Sequence, residues 1–454
     1  MQTLGRGQGG KGCRLWLAHH SVPVYRVDLE VCSREYRNSA LMKHKQIKLS
    51  LPLVIPLILC VLGPGKAQAK PWTRHIIDDI SSGADGVRIL DVNGDGYVDI
   101  TTGWEEGSIT RVYVHPGPDR SKEPWPSVTV GQSPNVEDAV FCDVDGDGHL
   151  DVISSCEGKT RSMFVHWAPG EPDRYLDAEA WTTERIPATQ GKRWMFAHPL
   201  DIDGQFGIDV VVSGKNQGAI IGWLQSPENP QHLSDWKLYP LYQAGWIMSL
   251  IGQDVDNDGD TDLVASDRRG DRSGVLWLER HTGGDTGLWR EHRIGGDGRE
   301  VMFSDLVDLD GDGRKDIVTA VKPREIQWYR CPEDPTSEWE VFTIRVGPED
   351  RIGFAKAVAA GDLDGDGRQD LVFTCERAVP PRSGVVLLRY NDSPTDGEWT
   401  VTDIIGPDGI KFDRIELVDL DGDGDLDVLT CEEKHEGRGL GVFWLENPFN
   451  GSRR

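Results

Sequence analysis

Asp143-Val144-Asp145-Gly146-Asp147-Gly148-His149-Leu150-Asp151 places four carboxylates and two glycines within nine residues. The same nine columns recur without gaps at 91–99 (DVNGDGYVD), 201–209 (DIDGQFGID), 254–262 (DVDNDGDTD), 308–316 (DLDGDGRKD), 362–370 (DLDGDGRQD) and 419–427 (DLDGDGDLD). Each first aspartate follows the previous one by 52 to 58 residues. Stretches of period two and β-branched character border the copies, as in Val87-Arg88-Ile89-Leu90 and Leu371-Val372-Phe373-Thr374, which reads as strand on either side of a tight loop. A strand-and-turn repeat near 55 residues is the length of one four-stranded propeller blade. Seven copies therefore predict an all-β, seven-bladed β-propeller.

Working outward from the loops, a third strand carries a recurrent tryptophan in Val165-His166-Trp167, Ile221-Gly222-Trp223, Val275-Leu276-Trp277, Ile326-Gln327-Trp328 and Val442-Phe443-Trp444. A fourth opens at Trp125, Trp181, Trp236, Trp289, Trp339 and Trp399, and no such strand follows Trp444. The missing copy is Trp72-Thr73-Arg74-His75-Ile76-Ile77, which matches Trp289-Arg290-Glu291-His292-Arg293-Ile294. The early strand is thus expected to complete the last blade and leave no open sheet edge at the seam. His75 and His292 share one repeat column and read as structural.

Four carboxylates in nine residues repel one another unless something positive lies between them. A hard cation such as Ca2+ takes six to eight oxygens at about 2.3–2.6 Å from carboxylates and carbonyls on a sharply turned backbone. The expected ligands are Asp91, Asn93, Asp95 and Asp99; Asp143, Asp145, Asp147 and Asp151; Asp254, Asp256, Asp258 and Asp262; Asp308, Asp310, Asp312 and Asp316; Asp362, Asp364, Asp366 and Asp370; and Asp419, Asp421, Asp423 and Asp427. That is about six Ca2+ sites of structural role. Loop three has Gln205 and Phe206 where Asp and Gly are needed, so it is expected to be empty or weak. An EF-hand is excluded, because position twelve is never Glu and strands, not helices, flank the loops.

With 454 residues and a formal charge of -26, the chain is a poor match for nucleic acid, whose recognition needs clustered Lys and Arg. Lys43, His44, Lys45 and Lys48 precede the apolar run Leu49–Leu62 and an Ala67-Gln68-Ala69 motif, the pattern of a signal peptide cut after Ala69. The run is too short for a membrane span of about 20 residues. The expected layout is a non-native extension or disordered leader at 1–41, a signal peptide at 42–69, the propeller at 70–448 and a short tail at 449–454. The expected location is secreted, periplasmic or cell-surface, with no transmembrane anchor after cleavage. The mature chain keeps Cys142, Cys156, Cys331, Cys375 and Cys431, an odd, sparse set that reads as buried thiols and not as a disulfide framework.

The D-x-D-x-D-G-x-x-D loops between strands make the chain resemble the FG-GAP and VCBS repeat propellers, which include integrin α-subunit heads and many secreted bacterial proteins. The resemblance covers about Trp72 to Glu446. It implies that the metal loops share one face of the disc, so that residues about thirteen after each first aspartate ring the other: Trp104, Cys156, Gly214, Asp267, Val321, Cys375 and Glu432. Near that face fall Trp104, Trp194 and Trp246, with Lys192, Arg193, His198, Lys215, Asn216, Asp267, Arg268, Arg269, Arg299, Glu300 and Lys322. Basic forks and indoles on so acidic a chain suit an anionic or polyhydroxylated ligand. The leading expectation is a binding or interaction module for an anionic glycan or an envelope or extracellular protein. The alternative is a carbohydrate-active enzyme resembling polysaccharide lyases or aldos-2-ulose dehydratases, with His198 or Lys215 as base.

Overall fold

A computed structural model describes residues 71–281, 289–437 and 439–449. The leader, the signal peptide with its cleavage point and most of the tail lie outside the described residues. Among the described residues stand seven four-stranded antiparallel sheets, and the only helical elements are three-residue 3-10 turns.

The inner strands are Ala84–Leu90, Val136–Cys142, Arg193–Pro199, Ile247–Gln253, Val301–Val307, Phe354–Gly361 and Phe412–Val418, one each for blades one to seven. Each inner strand contacts the inner strand of the next blade, and blade seven contacts blade one, so the ring closes. The second strands, such as Asp151–Cys156 and Asp316–Val321, are buried throughout, apart from the half-buried Glu376 that ends the blade-six strand. They are covered on both faces by neighbouring blades, which is why they read as continuous apolar and small residues. The fourth strands form the rim; Thr182–Ile186 is exposed at four of its five positions.

Thr73–Asp78 pairs antiparallel with Gly441–Glu446 and completes blade seven. Its equivalence to the other fourth strands extends to side chains. His75 packs 4.6 Å from the Trp444 ring and bonds Glu446 at 2.8 Å. His292 stacks 4.2 Å from Trp277 and bonds Glu279 at 2.5 Å. The two histidines therefore do one structural task. All five described cysteines are buried free thiols.

Every inner strand shifts register near its start, at Asp85/Arg88, Val136/Asp138, Trp194/Phe196, Ile247/Ser249, Val301/Ser304, Ala355/Val358 and Phe412/Ile415. Bulges re-aim side chains, and here residues around the bulges meet across the channel. Phe196 and Phe303 meet edge-on at 5.5 Å, Arg88 lies 5.8 Å over Phe196 and grips Asp138 at 2.8 and 2.9 Å. A cavity of about 150 Å³ beside them is lined by Ser304, Asp305, Arg414 and Glu416 among others.

Burial raises the Asp305 carboxyl to about 6, against the pull of the Ala360 and Leu306 amides. A carboxyl raised in the folded state stabilises the fold below its unfolded value and loses that contribution as pH climbs through about 6. Asp305→Asn removes this titration. Between pH 4 and pH 8 the wild type is expected to lose on the order of 2 kcal/mol relative to the variant, measured as the pH slope of urea unfolding. Parallel slopes would show that Asp305 ionises freely.

Candidate functional site

Each acidic loop joins the first and second strands of its blade, and its carboxylates are set by the loop's own amides. In loop one the Gly94 amide donates to Asp91 Oδ1 at 2.8 Å and the Gly96 amide to Asp91 Oδ2 at 2.9 Å. The Asp95 amide reaches Asn93 Oδ1, and the Tyr97 amide reaches Asp95 Oδ1, both at 2.9 Å. The sixth-position glycine takes positive φ in six loops, Gly148 for instance at +87°, where any Cβ is disfavoured. Loop three accepts Phe206 there at +59° and leaves its ring half-exposed.

The ninth aspartate has a second task that spacing alone did not reveal. Asp99 accepts from the Val92 amide at 2.9 Å and from the His115 amide, just beyond the third strand, at 2.8 Å. Asp151, Asp209, Asp262, Asp316 and Asp427 repeat both bonds. The ninth position therefore staples loop to blade even in loop three. Burial, followed by neighbouring aspartates, raises these carboxyls to about 8 for Asp151 and Asp427 and about 7 for Asp370.

Carboxylate oxygens of Asp143, Asp145 and Asp151 lie within 4.8 Å of one another, as do those of Asp254, Asp256 and Asp262 and of Asp201, Asp203 and Asp209. Asp143 Oδ1 and Asp364 Oδ1 are buried without a hydrogen-bond donor. An all-oxygen set converging on a glycine-turned backbone fits a hard divalent cation. The third-position aspartates also take outside partners: Gln231 on Asp145 at 2.6 Å, Gln225 on Asp203 at 2.5 Å, Arg330 on Asp310 at 2.6 Å, Arg389 on Asp364 and Lys122 on Asp421, both at 3.0 Å. Loop four holds five aspartates, Asp254 to Asp262, and loop six sets two arginines against its four.

The second strands run six residues from the ninth aspartate in most blades, about 20 Å, to the opposite face. Trp246 gathers three cations there: Lys215 Nζ at 4.8 Å from the ring centre, and the Arg268 and Arg269 guanidinium carbons at 4.6 and 4.7 Å. Asp267 fixes the corner by accepting from the Gly245 and Trp246 amides at 2.8 and 2.7 Å. Ion pairs then step around the mouth. Lys215 holds Glu137 and Glu157 at 2.7 and 3.1 Å; Arg268 holds Glu300; Lys322 holds Glu376; Lys356 holds Asp413 at 3.0 Å; Lys411 holds Glu433; and Lys434 holds Glu106. Burial lowers Lys322 to about 8 in spite of Glu376.

The remaining candidates scatter. Trp104 and Trp194 are fully buried, bonded to the Tyr113 hydroxyl at 2.9 Å and the Thr189 carbonyl at 2.6 Å, so they present no ring face at the mouth. His198 sits at the other end of its inner strand, where burial and then Arg88 and Arg414 hold it near 4. Lys192 reaches the Gly218 carbonyl at 2.8 Å, Arg193 begins the blade-three inner strand opposite Lys215, Asn216 is an exposed turn residue at φ +66°, and Arg299 pairs with Glu325. One column was missed: the residues six before each first aspartate, Asp85, Glu137, Met195, Met248, Met302, Lys356 and Asp413, give four blades a charge and three a methionine. It was readable by alignment alone.

The fold and its loops define a repeat-built propeller of the acidic-loop class. Residues 91–154, 254–319, 308–373 and 362–430 match the sequence profile of the FG-GAP-like repeat, together more than half of the chain, and the chain belongs to that family. Each match spans two successive loops, and degenerate loop three falls outside all of them. No curated protein sequence matches the chain. Two crystal structures of BBS1N in complex with ARL6DN are similar to it. The one soaked with mercury has a TM-score of 0.47 at 11% identity, over 83% of this chain and 97% of that one. The one soaked with lead has a TM-score of 0.49 at 10% identity, over 84% and 98%. Among the described residues no helix is long and apolar enough to cross a membrane.

Proposed function

We propose that this chain is an exported, calcium-stabilised interaction module that binds an anionic glycan through the face carrying Trp246, Arg268 and Arg269. The propeller fold of the family suits an interaction role. The observation that carries the ligand chemistry is the gathering of three cations on one indole in a protein of formal charge -26. A guanidinium laid over an aromatic ring is held in the plane it needs to grip a carboxylate or sulfate with two hydrogen bonds. Because the cations occupy the ring, recognition falls to the guanidiniums and not to sugar stacking on Trp246. Calcium would be held by the loop aspartates on the far side, as a structural brace for each blade.

A binding screen of uronic-acid, sulfated and neutral oligosaccharides against the calcium-loaded protein tests this reading. Acidic glycans should bind, weaken with added salt and lose at least about tenfold in affinity, roughly 1.4 kcal/mol, in Arg268→Gln. Indifference to every acidic glycan would sink the glycan reading and leave an envelope or extracellular protein as the partner. A new ultraviolet-absorbing double bond in the bound sugar would instead make the chain a lyase.

A further inference from the structure

We propose that Glu300 is the resident occupant of an oxyanion site built by Arg268, Arg269 and Lys322, and that a ligand carboxylate binds by displacing it. This inference rests on the anionic-ligand reading above. Glu300 Oε1 accepts from Arg268 Nε at 2.8 Å, and Arg269 Nη2 and Lys322 Nζ lie 3.6 and 3.7 Å from the same oxygen. Three cations around one carboxylate oxygen make a receptor for a carboxylate, whichever molecule supplies it.

Exposure shows which member yields. The Arg268 and Lys322 side chains are 11% and 7% exposed, whereas that of Glu300 is 38% exposed and that of Arg269 55%. Arg268 is fixed twice, by the Trp246 ring and by its own amide donating to the Trp246 carbonyl at 2.8 Å. Lys322 keeps Glu376 as a second partner. When the Glu300 side chain swings out, Lys322 keeps a carboxylate and Arg268 keeps the Trp246 ring, and an incoming carboxylate takes the vacated Arg268 fork. The Glu300 backbone stays in place, because its carbonyl accepts from the Lys322 amide at 3.1 Å. A resident competitor lowers apparent affinity by the fraction of time it blocks the site, and removing its charge returns that fraction.

The test is calorimetric titration of a glucuronic-acid oligosaccharide into calcium-loaded wild type, Glu300→Gln and Glu300→Asp, with thermal melting to check folding. Glu300→Gln should bind about tenfold more tightly than wild type, with Glu300→Asp in between, and adding Arg268→Gln to Glu300→Gln should abolish the gain. Wild-type binding that Glu300→Gln leaves equal or weaker overturns the displacement and spares the proposed function. Binding by Glu300→Gln alone supports the displacement and overturns the proposed function for the native chain. Binding by none of the three overturns both. Should Glu300→Gln fail to fold, the Glu300→Asp comparison with wild type decides.

Discussion

Asp78→Asn is expected to cost about 3–5 kcal/mol of stability, because it strands a buried guanidinium. Asp78 lies at the end of the strand that closes blade seven, and its partner Arg111 lies in the third strand of blade one, with Nε and Oδ2 2.9 Å apart and side chains 5% and 10% exposed. Arg111 spends its other nitrogens on the Thr129 and Ser127 hydroxyls at 2.9 and 2.6 Å, so it has no means of reaching water once Asp78 is neutral. The closing strand is fitted tightly here: Gly441 has φ +78°, and a Cβ on it would meet the Asp78 carbonyl oxygen at 2.1 Å. Replacing both partners with leucine should recover much of the loss, since an apolar pair carries no desolvation cost. Urea unfolding of Asp78→Leu, Arg111→Leu and the double variant gives the coupling directly. A single variant within about 1 kcal/mol of wild type would mean that the seam does not depend on this pair.

The second large effect concerns the loops. A cation held at a hundred times its dissociation constant stabilises the folded state by about 2.7 kcal/mol per site, so two stripped sites outweigh the seam substitution. Chelation of the proposed calcium should therefore lower the melting temperature more than any substitution named here. Restoring calcium should reverse the change, and magnesium should do so poorly, because its octahedral, water-retaining coordination suits these crowded carboxylate loops less well. Scanning calorimetry with and without chelator measures it. An unchanged transition would remove the structural role of the cations.

Period, the placing of the acidic loops between first and second strands, and the early closing strand were legible in the sequence because each is local or repeats. Seven nonapeptides announce seven blades, and Trp72 to Ile77 announces its place by likeness to the blade-four strand. What lay beyond reading depends on direction and on partners distant in the chain. Trp104 stands at the mouth end of its strand, yet it shares the parity of Ile100 and turns into the same core; alternation along Asp99–Trp104 was the signal that would have placed it. The belt of ion pairs joins residues such as Lys322 and Glu376, or Lys434 and Glu106, whose pairing follows only from ring closure. The inner-strand bulges, beside which Phe196 and Phe303 meet, fall on the column of charges and methionines six before each first aspartate; the column is visible in the sequence, but its residue types do not announce an extra residue in the strand. The ninth aspartates were read as ligands alone because their amide partners, such as His115 and Ala168, lie a strand and a turn away.

The central claim is that the acidic loops hold divalent cations that lock seven sheets into a ring, and native mass spectrometry of the calcium-loaded chain tests it most directly. Six bound Ca2+ are predicted, with loop three empty or weak. Replacing Asp143 and Asp145 by asparagine should subtract one ion and leave the others. A mass that ignores calcium, or a count that this loop substitution does not change, would contradict the claim.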